Sequence, residues 1–287
     1  MGILGFVIFP GLLNPAQANP MATTLVLYDA VSGDVPQTPN MNFASFPTVS
    51  PTYESGATVL DTTSGNTISA GWVSAGGSPS NFPTLDRANG FQVDFTVKVE
   101  SEAHANNNRA GFSVILLGDD KKGVELAFWE DEIWAQHDGT TGSLFTHGEG
   151  TAFATTDALV DYQIVIVGDT YTVTADTAAI LTGPVRDYTD FNGFPDPYET
   201  PNFLFLGDDT TSAQAKIRLT YVSVTAQDPP APTDIPTPTF TPETPTPTET
   251  SVTPAPSPTG TPPTSTPEPT PNPKSHKIYI PVVVKNQ

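Results

Sequence analysis

Apolar and polar residues alternate without a break from Phe91 to Glu100 (FQVDFTVKVE). A period of two predicts a half-buried strand with Phe91, Val93, Phe95, Val97 and Val99 facing a core. Residues 160–176 predict a hairpin turning at Gly168-Asp169. With Val167 opposite Thr170, the residues Tyr162, Ile164, Ile166, Tyr171 and Val173 share one face. Residues 110–117 (AGFSVILL) are apolar on both parities, as a central strand would be. Residues 203–206 and 215–224 read as further strands. In the second, Ile217, Leu219 and Tyr221 alternate, and then Val222 and Val224 change parity, which predicts a β-bulge. No stretch keeps a 3.6-residue period. About a dozen short strands predict an all-β, two-sheet antiparallel sandwich of the jelly-roll kind.

Residues 123–149 (GVELAFWEDEIWAQHDGTTGSLFTHGE) carry the most chemistry. A tight turn at Glu130-Asp131 sets Trp129 opposite Glu132, Leu126 opposite Ala135 and Val124 opposite His137. Cross-strand partners share a face. One face therefore carries Val124, Leu126, Phe128, Ile133, Ala135 and His137. The other carries Glu125, Ala127, Trp129, Glu132, Trp134 and Gln136. An even-length loop after Asp138-Gly139 adds Phe145 and His147 to that second face, and an odd one reverses this. The first face is aliphatic and suits a core. On the second, indole rings would stack on the C–H faces of sugars while carboxylates and amides bond to hydroxyls. The expected ligand-binding set is Glu125, Trp129, Glu132, Trp134, Gln136, Phe145 and His147. The competing expectation is that long loops cover this face and the Trp residues pack beneath them.

The two ends of the chain differ from this core. Residues 2–13 form a mostly apolar run, and Ala16-Gln17-Ala18 follows as a small-x-small pattern. Residues 1–18 thus read as a secretory signal peptide, although the Lys/Arg that usually precede such a run are absent. Residues 19–227 form the expected β-sandwich domain, with 26 acidic and 8 basic residues, net −18. Residues 228–273 hold 17 Pro and 14 Thr in 46 positions and no Lys or Arg. Proline at that density prevents helix and sheet, so a polyproline II stalk is expected. Its full stretch is on the order of 140 Å. Such Thr/Pro tracts are often O-glycosylated. Residues 274–287 (KSHKIYIPVVVKNQ) are basic and aliphatic, and read as a candidate surface anchor.

Net charge matters to partners. The whole chain has 31 acidic and 11 basic residues, net −20, and no Cys. That excludes a basic footprint for nucleic acid and binding to a bare anionic membrane. It also excludes disulfides, thiolate chemistry and Cys-ligated metal. No apolar run reaches the roughly 20 residues of a spanning helix. The expected localisation is exported, extracellular or cell-surface attached, with a monomeric globular domain that binds a glycan or an envelope component.

A family resemblance rests on Arg109–Leu116 (RAGFSVIL), Gly123–Trp129 (GVELAFW), Glu132–Gln136 (EIWAQ) and Pro201–Asp209 (PNFLFLGDD). Across about residues 24–226 the chain resembles bacterial exported domains of concanavalin A-like type, a group spanning lectins, glucanases and laminin G-like modules. Such domains occur with differing C-terminal attachment segments, the choice-of-anchor arrangement, and the stalk with its basic tail would be one version. The resemblance implies a jelly roll and leaves function open.

Catalysis is not expected. Glycoside hydrolases on this fold use a Glu-x-Asp-x-x-Glu strand. Here Glu125-Leu126-Ala127-Phe128-Trp129-Glu130 has Ala127 in place of the Asp, and Glu130 falls in the turn. Glu125 and Glu132 would stand roughly 13 Å apart along the ladder. Retaining and inverting hydrolysis want about 5–5.5 and 6.5–9.5 Å. A surface-coat or protein-adhesion module without sugar affinity is the other alternative. Calcium is a candidate cofactor. Leu117-Gly118-Asp119-Asp120 and Leu206-Gly207-Asp208-Asp209 repeat one motif at two strand ends, offering Asp119, Asp120, Asp208 and Asp209 as hard oxygen ligands. The same residues also simply make good turns.

Overall fold

The computed structural model describes residues 22–227, apart from 39, 76–77, 141–142 and 194–195. The leader, stalk and tail expected at 1–18, 228–273 and 274–287 lie outside the described residues.

The described residues form two antiparallel sheets with one short 3-10 turn, Ala30–Ser32, and no α-helix. The strands, in chain order, are β1 (Ala22–Asp29), β2 (Asn42–Phe46), β3 (Thr52–Glu54), β4 (Ala57–Asp61), β5 (Ser69–Ala75), β6 (Phe91–His104), β7 (Ser113–Leu117) and β8 (Gly123–Phe128). They continue with β9 (Glu132–Gln136), β10 (His147–Ala152), β11 (Val160–Val167), β12 (Thr170–Ala175), β13 (Ala178–Pro184), β14 (Phe203–Asp208) and β15 (Ala213–Gln227). One sheet runs β13-β12-β11-β6-β15-β4-β3, with β1 also paired to β15. The other runs β10-β9-β8-β7-β14-β5-β2. This is the jelly-roll sandwich that the alternation predicts.

The core lies between the sheets. On β6 the alternate residues Phe91 to Val99 are buried, and on β11 and β12 so are Tyr162, Ile164, Ile166, Tyr171 and Val173. They meet Val114 and Leu116 of β7, Val124, Leu126 and Phe128 of β8, and Ile133 and Ala135 of β9. Phe95, Phe128 and Tyr162 pack ring to ring, with centroids 5.4–6.0 Å apart. Val167 pairs with Thr170, as the Gly168-Asp169 turn requires, and Gly168 takes a left-handed φ of 58°.

The bulge in β15 sits one residue earlier than the parity change suggests. The register shifts between Leu219 and Tyr221, so Val222 pairs with Phe95 and Tyr221 with Thr96. Thr220 is the extra residue, and Tyr221 turns outward instead of joining Ile217 and Leu219 in the core. The neighbour of β15 also changes here. Residues Lys216–Leu219 pair with β4, and Tyr221–Gln227 pair with β1. A gap opens where one partner ends and the other begins.

Candidate functional site

The 123–149 register is as the sequence dictates. Leu126 pairs with Ala135 and Phe128 with Ile133, the Trp129 N–H donates to the Glu132 carbonyl (2.8 Å), and His147 pairs with Gln136. Glu125, Ala127, Trp134, Gln136 and His147 therefore share the face turned away from the core. That face is covered.

The cover is the segment between β13 and β14. It begins with a two-way backbone bridge, Arg186 N–H to Gly123 O (2.8 Å) and Gly123 N–H to Arg186 O (2.9 Å). Tyr188 and Tyr198 then pack onto Ile115, Leu117 and Phe203, with Phe145 and Phe191 beside them. The Tyr188 hydroxyl accepts from Glu125 N–H (3.1 Å) and donates to the Gln136 carbonyl (2.9 Å). The Tyr198 hydroxyl donates to the Glu125 carboxyl, whose other oxygen accepts from Gln136 Nε2 (2.8 Å). Glu125 is thus sealed. Burial, and then the neighbouring Asp209 carboxyl, push its own carboxyl well above the ordinary carboxylate range.

The proposed sugar-stacking set needs correction. Trp134 is wholly buried, with His147 flat against it. Trp129 is half-buried, donates its indole N–H to Arg109 O (2.8 Å) and stacks on His104 at 4.2 Å. Gln136 is buried, Phe145 belongs to the cover, and Glu132 bonds to His147 Nε2 (3.2 Å). Neither face of Trp134 is left open, and one face of Trp129 is taken by His104. The register puts these residues on one face, and an aromatic strap and two imidazoles pack against it where a sugar would have to lie.

The four aspartates do not converge. Strands β7 and β14 are antiparallel, with Leu117 opposite Phe203 and Ser113 opposite Gly207. The two Gly-Asp-Asp motifs therefore end at opposite ends of the pair. Asp120 is held by Arg87 (2.7 Å). Asp208 accepts from Thr62 Oγ1 (2.7 Å) and Asp209 from Ser113 Oγ (2.8 Å). Asp119 stays exposed on its turn. Among the described residues no group of three or more His, Asp or Glu is arranged to hold a metal ion.

An open concavity lies elsewhere, on the outer face of the other sheet at the β15 bulge. It is a groove of about 660 Å³, within the range of small-molecule sites. Its floor is a row across four strands, in which Asp161 of β11 pairs with Thr96 of β6, Thr96 with Tyr221 of β15, and Tyr221 with Asp29 of β1. Thr96 Oγ1 donates to Asp161 (2.6 Å). Asp94 stands two residues from Thr96 on the same face and accepts from Gln92 (3.0 Å) and Gln163 (2.8 Å). The 3-10 turn and the β3–β4 hairpin form the wall. Tyr53 bonds across to Ala30 O (2.6 Å), tying the two together. Ser55 and Gly56 have φ of 51° and 78°, the double left-handed turn that a two-residue hairpin needs. Val31 stands 91% exposed at the rim. The alternation of Ile217, Leu219 and Tyr221 would set the Tyr221 ring on the face of Leu219, and the bulge at Thr220 turns it outward to the groove instead. The signal available was Thr220-Tyr221 immediately before the parity change.

No family model matches the chain, and no curated protein matches it. Solved structures of similar backbone include a carbohydrate esterase of the Shiga toxin-encoding bacteriophage phi24B, at TM-score 0.49 and 14% identity, covering 72% of this chain and 99% of that one. Alginate lyase A1-II′, of polysaccharide lyase family 7, has TM-score 0.45 and 11% identity, covering 72% and 95%. The endo-1,3-β-glucanase of Streptomyces sioyaensis has TM-score 0.42 and 13% identity, covering 77% and 100%. At these identities the likeness is one of fold alone.

Proposed function

We propose that this protein is an exported, stalk-borne binding module that recognises a saccharide without catalysis, through the groove at the β15 bulge. The observation that carries this is the composition of the groove. Two half-exposed tyrosines, Tyr53 and Tyr221, stand among carboxylates and threonine hydroxyls in an open concavity. Aromatic faces and hydrogen-bonding side chains on a rigid sheet are what a sugar ring, apolar on its faces and polar on its edge, requires. A hydrolytic role lacks support, because Glu125 is sealed and Glu132 is engaged by His147. Export rests on the apolar leader and the Pro/Thr stalk, and the choice-of-anchor reading rests on the basic tail.

The experiment is binding of the full chain to a panel of immobilised polysaccharides, with Tyr221→Ala beside it. The reading requires at least one saccharide to be retained, and the variant to lose it at unchanged Tm. Retention that survives Tyr221→Ala removes the groove from consideration. Export is checked by N-terminal sequencing of protein from the culture medium, where a start at Asn19 is expected.

A further inference from the structure

We infer that the groove selects saccharides bearing free amino groups, such as β-1,4-linked glucosamine, over neutral and acidic ones. This rests on the reading of the groove as a sugar site.

The argument is one of uncompensated charge. Three carboxylates, Asp29, Asp94 and Asp161, line the groove, and no Lys, Arg or His does. Every hydrogen-bond donor they engage is neutral. Asp94 has the Gln92 and Gln163 amides and the Ser223 hydroxyl (3.5 Å), Asp161 the Thr96 hydroxyl, and Asp29 the Val31 N–H (2.9 Å). Among the described residues none of the three joins an ion pair, although Arg87, Arg186 and Arg218 each pair with acids elsewhere. The groove is therefore a place where the fold gathers negative charge and leaves it unanswered.

A neutral sugar hydroxyl would bond to these carboxylates without balancing them. A uronate or sulfate would add repulsion, reinforced by the domain's net −18. An ammonium supplies the missing charge, and its N–H groups make charge-assisted bonds to carboxylate. The geometry suits a chain of such groups. From Asp29 to Asp161 the row spans three interstrand spacings, roughly 14 Å. Asp94 lies one two-residue step along β6, roughly 7 Å from the row. Tyr221 sits between the outer carboxylates, where a sugar ring can lie on it with its amino groups directed to either side.

Three hexasaccharides that share a β-1,4 backbone and differ only at C2 test this: glucosamine, N-acetylglucosamine and glucose. Their affinities for the full chain are compared by calorimetry in a mildly acidic buffer that keeps the amines protonated. The glucosamine hexamer should bind at least about tenfold more tightly than the other two. Asp94→Asn with Asp161→Asn should abolish that preference, and added salt should reduce it. Equal binding of all three overturns the charge selection and leaves the groove as a sugar site. Binding of none overturns the inference too, and the groove reading is then decided by the polysaccharide panel and Tyr221→Ala. Asp131→Asn with Asp190→Asn, the same charge change on exposed turns elsewhere, should leave the preference intact. If it weakens binding equally, or if hexalysine competes as well as the hexasaccharide, the attraction is bulk charge and the inference fails.

Discussion

His147 lies flat on Trp134, with ring centroids 4.3 Å apart and planes 17° from parallel. The imidazole sits where a sugar ring would have to stack. Trp134 is therefore a packing residue, and its indole N–H is buried without a hydrogen-bond partner. Trp134→Ala should cost about 3–5 kcal/mol of stability. Trp134→Phe should cost much less, because it also removes the orphaned N–H, itself a penalty of about 1–3 kcal/mol. Thermal melts of the two variants check this, and a Trp134→Phe as damaging as Trp134→Ala would contradict it.

The contrast between Trp134 and Tyr221 shows how far the sequence could be read. Alternation along residues 91–100 and the pairing of Leu126 with Ala135 are local consequences of strand geometry, so the fold and the register of the central hairpins were legible. What covers a face is not local. Tyr188 and Tyr198 reach Glu125 from 63 and 73 residues away in a segment without regular alternation. Nothing in the hairpin announces them. The groove was hidden by a single residue, because placing the bulge after Tyr221 instead of at Thr220 turns one ring from the surface into the core.

Stability should peak in the mildly acidic range and fall on both sides. Burial pushes the Asp208 carboxyl up to about 8, with Thr62 opposing. An unfolded aspartate titrates near 3.9. Between those values the folded state keeps a proton that the unfolded chain has released, so raising the pH destabilises. The slope is about 1.4 kcal/mol per pH unit for one such group. This contribution is complete below the unfolded value and is lost as pH rises through the folded one. Below about pH 4 the opposite groups act. Against the opposing effect of burial, Arg87 holds Asp120 low, and Arg218 and Lys216 hold Glu100 low. Their contribution is present above the unfolded value and is lost as pH falls through the depressed one. Denaturant melts across the range check both limbs.

Glu125→Gln separates the sealed carboxyl from the others. In the native protein Glu125 carries a raised value, so it too holds its proton in the fold and loses stability as pH rises. Gln has nearly the same shape and cannot ionise. The variant should match the native protein in acid and exceed it in alkali, flattening that limb. A parallel profile would mean that Glu125 is ionised beneath Tyr198.

Chelation should leave Tm unchanged. Asp120, Asp208 and Asp209 already engage Arg87, Thr62 and Ser113, and the two motifs stand at opposite ends of β7 and β14. A structural ion of appreciable affinity would stabilise the fold by mass action. A fall in Tm on adding EDTA, reversed by Ca2+, would reinstate the calcium expectation.

The strap should come loose at Gly123. A Cβ there would overlap the Leu116 carbonyl oxygen, so Gly123→Ala forces β7 and β8 apart where the strap begins. The same residue exchanges both of its backbone hydrogen bonds with Arg186, and displacing it breaks that bridge. Overpacking of this kind costs typically about 1–3 kcal/mol. Arg186→Met attacks the same anchor from the other side. The buried guanidinium pairs with Glu149, which keeps 29% of its side chain exposed, so losing this charged hydrogen bond costs about 1.5–3 kcal/mol. Both variants should become sensitive to limited proteolysis between Arg186 and Tyr198 before the domain unfolds. Binding at the groove should persist in both, because that site lies on the opposite sheet. If the strap stays resistant while Tm falls, the contacts of Tyr188 and Tyr198 hold it without the Gly123 bridge, and Tyr198→Phe becomes the substitution that releases it.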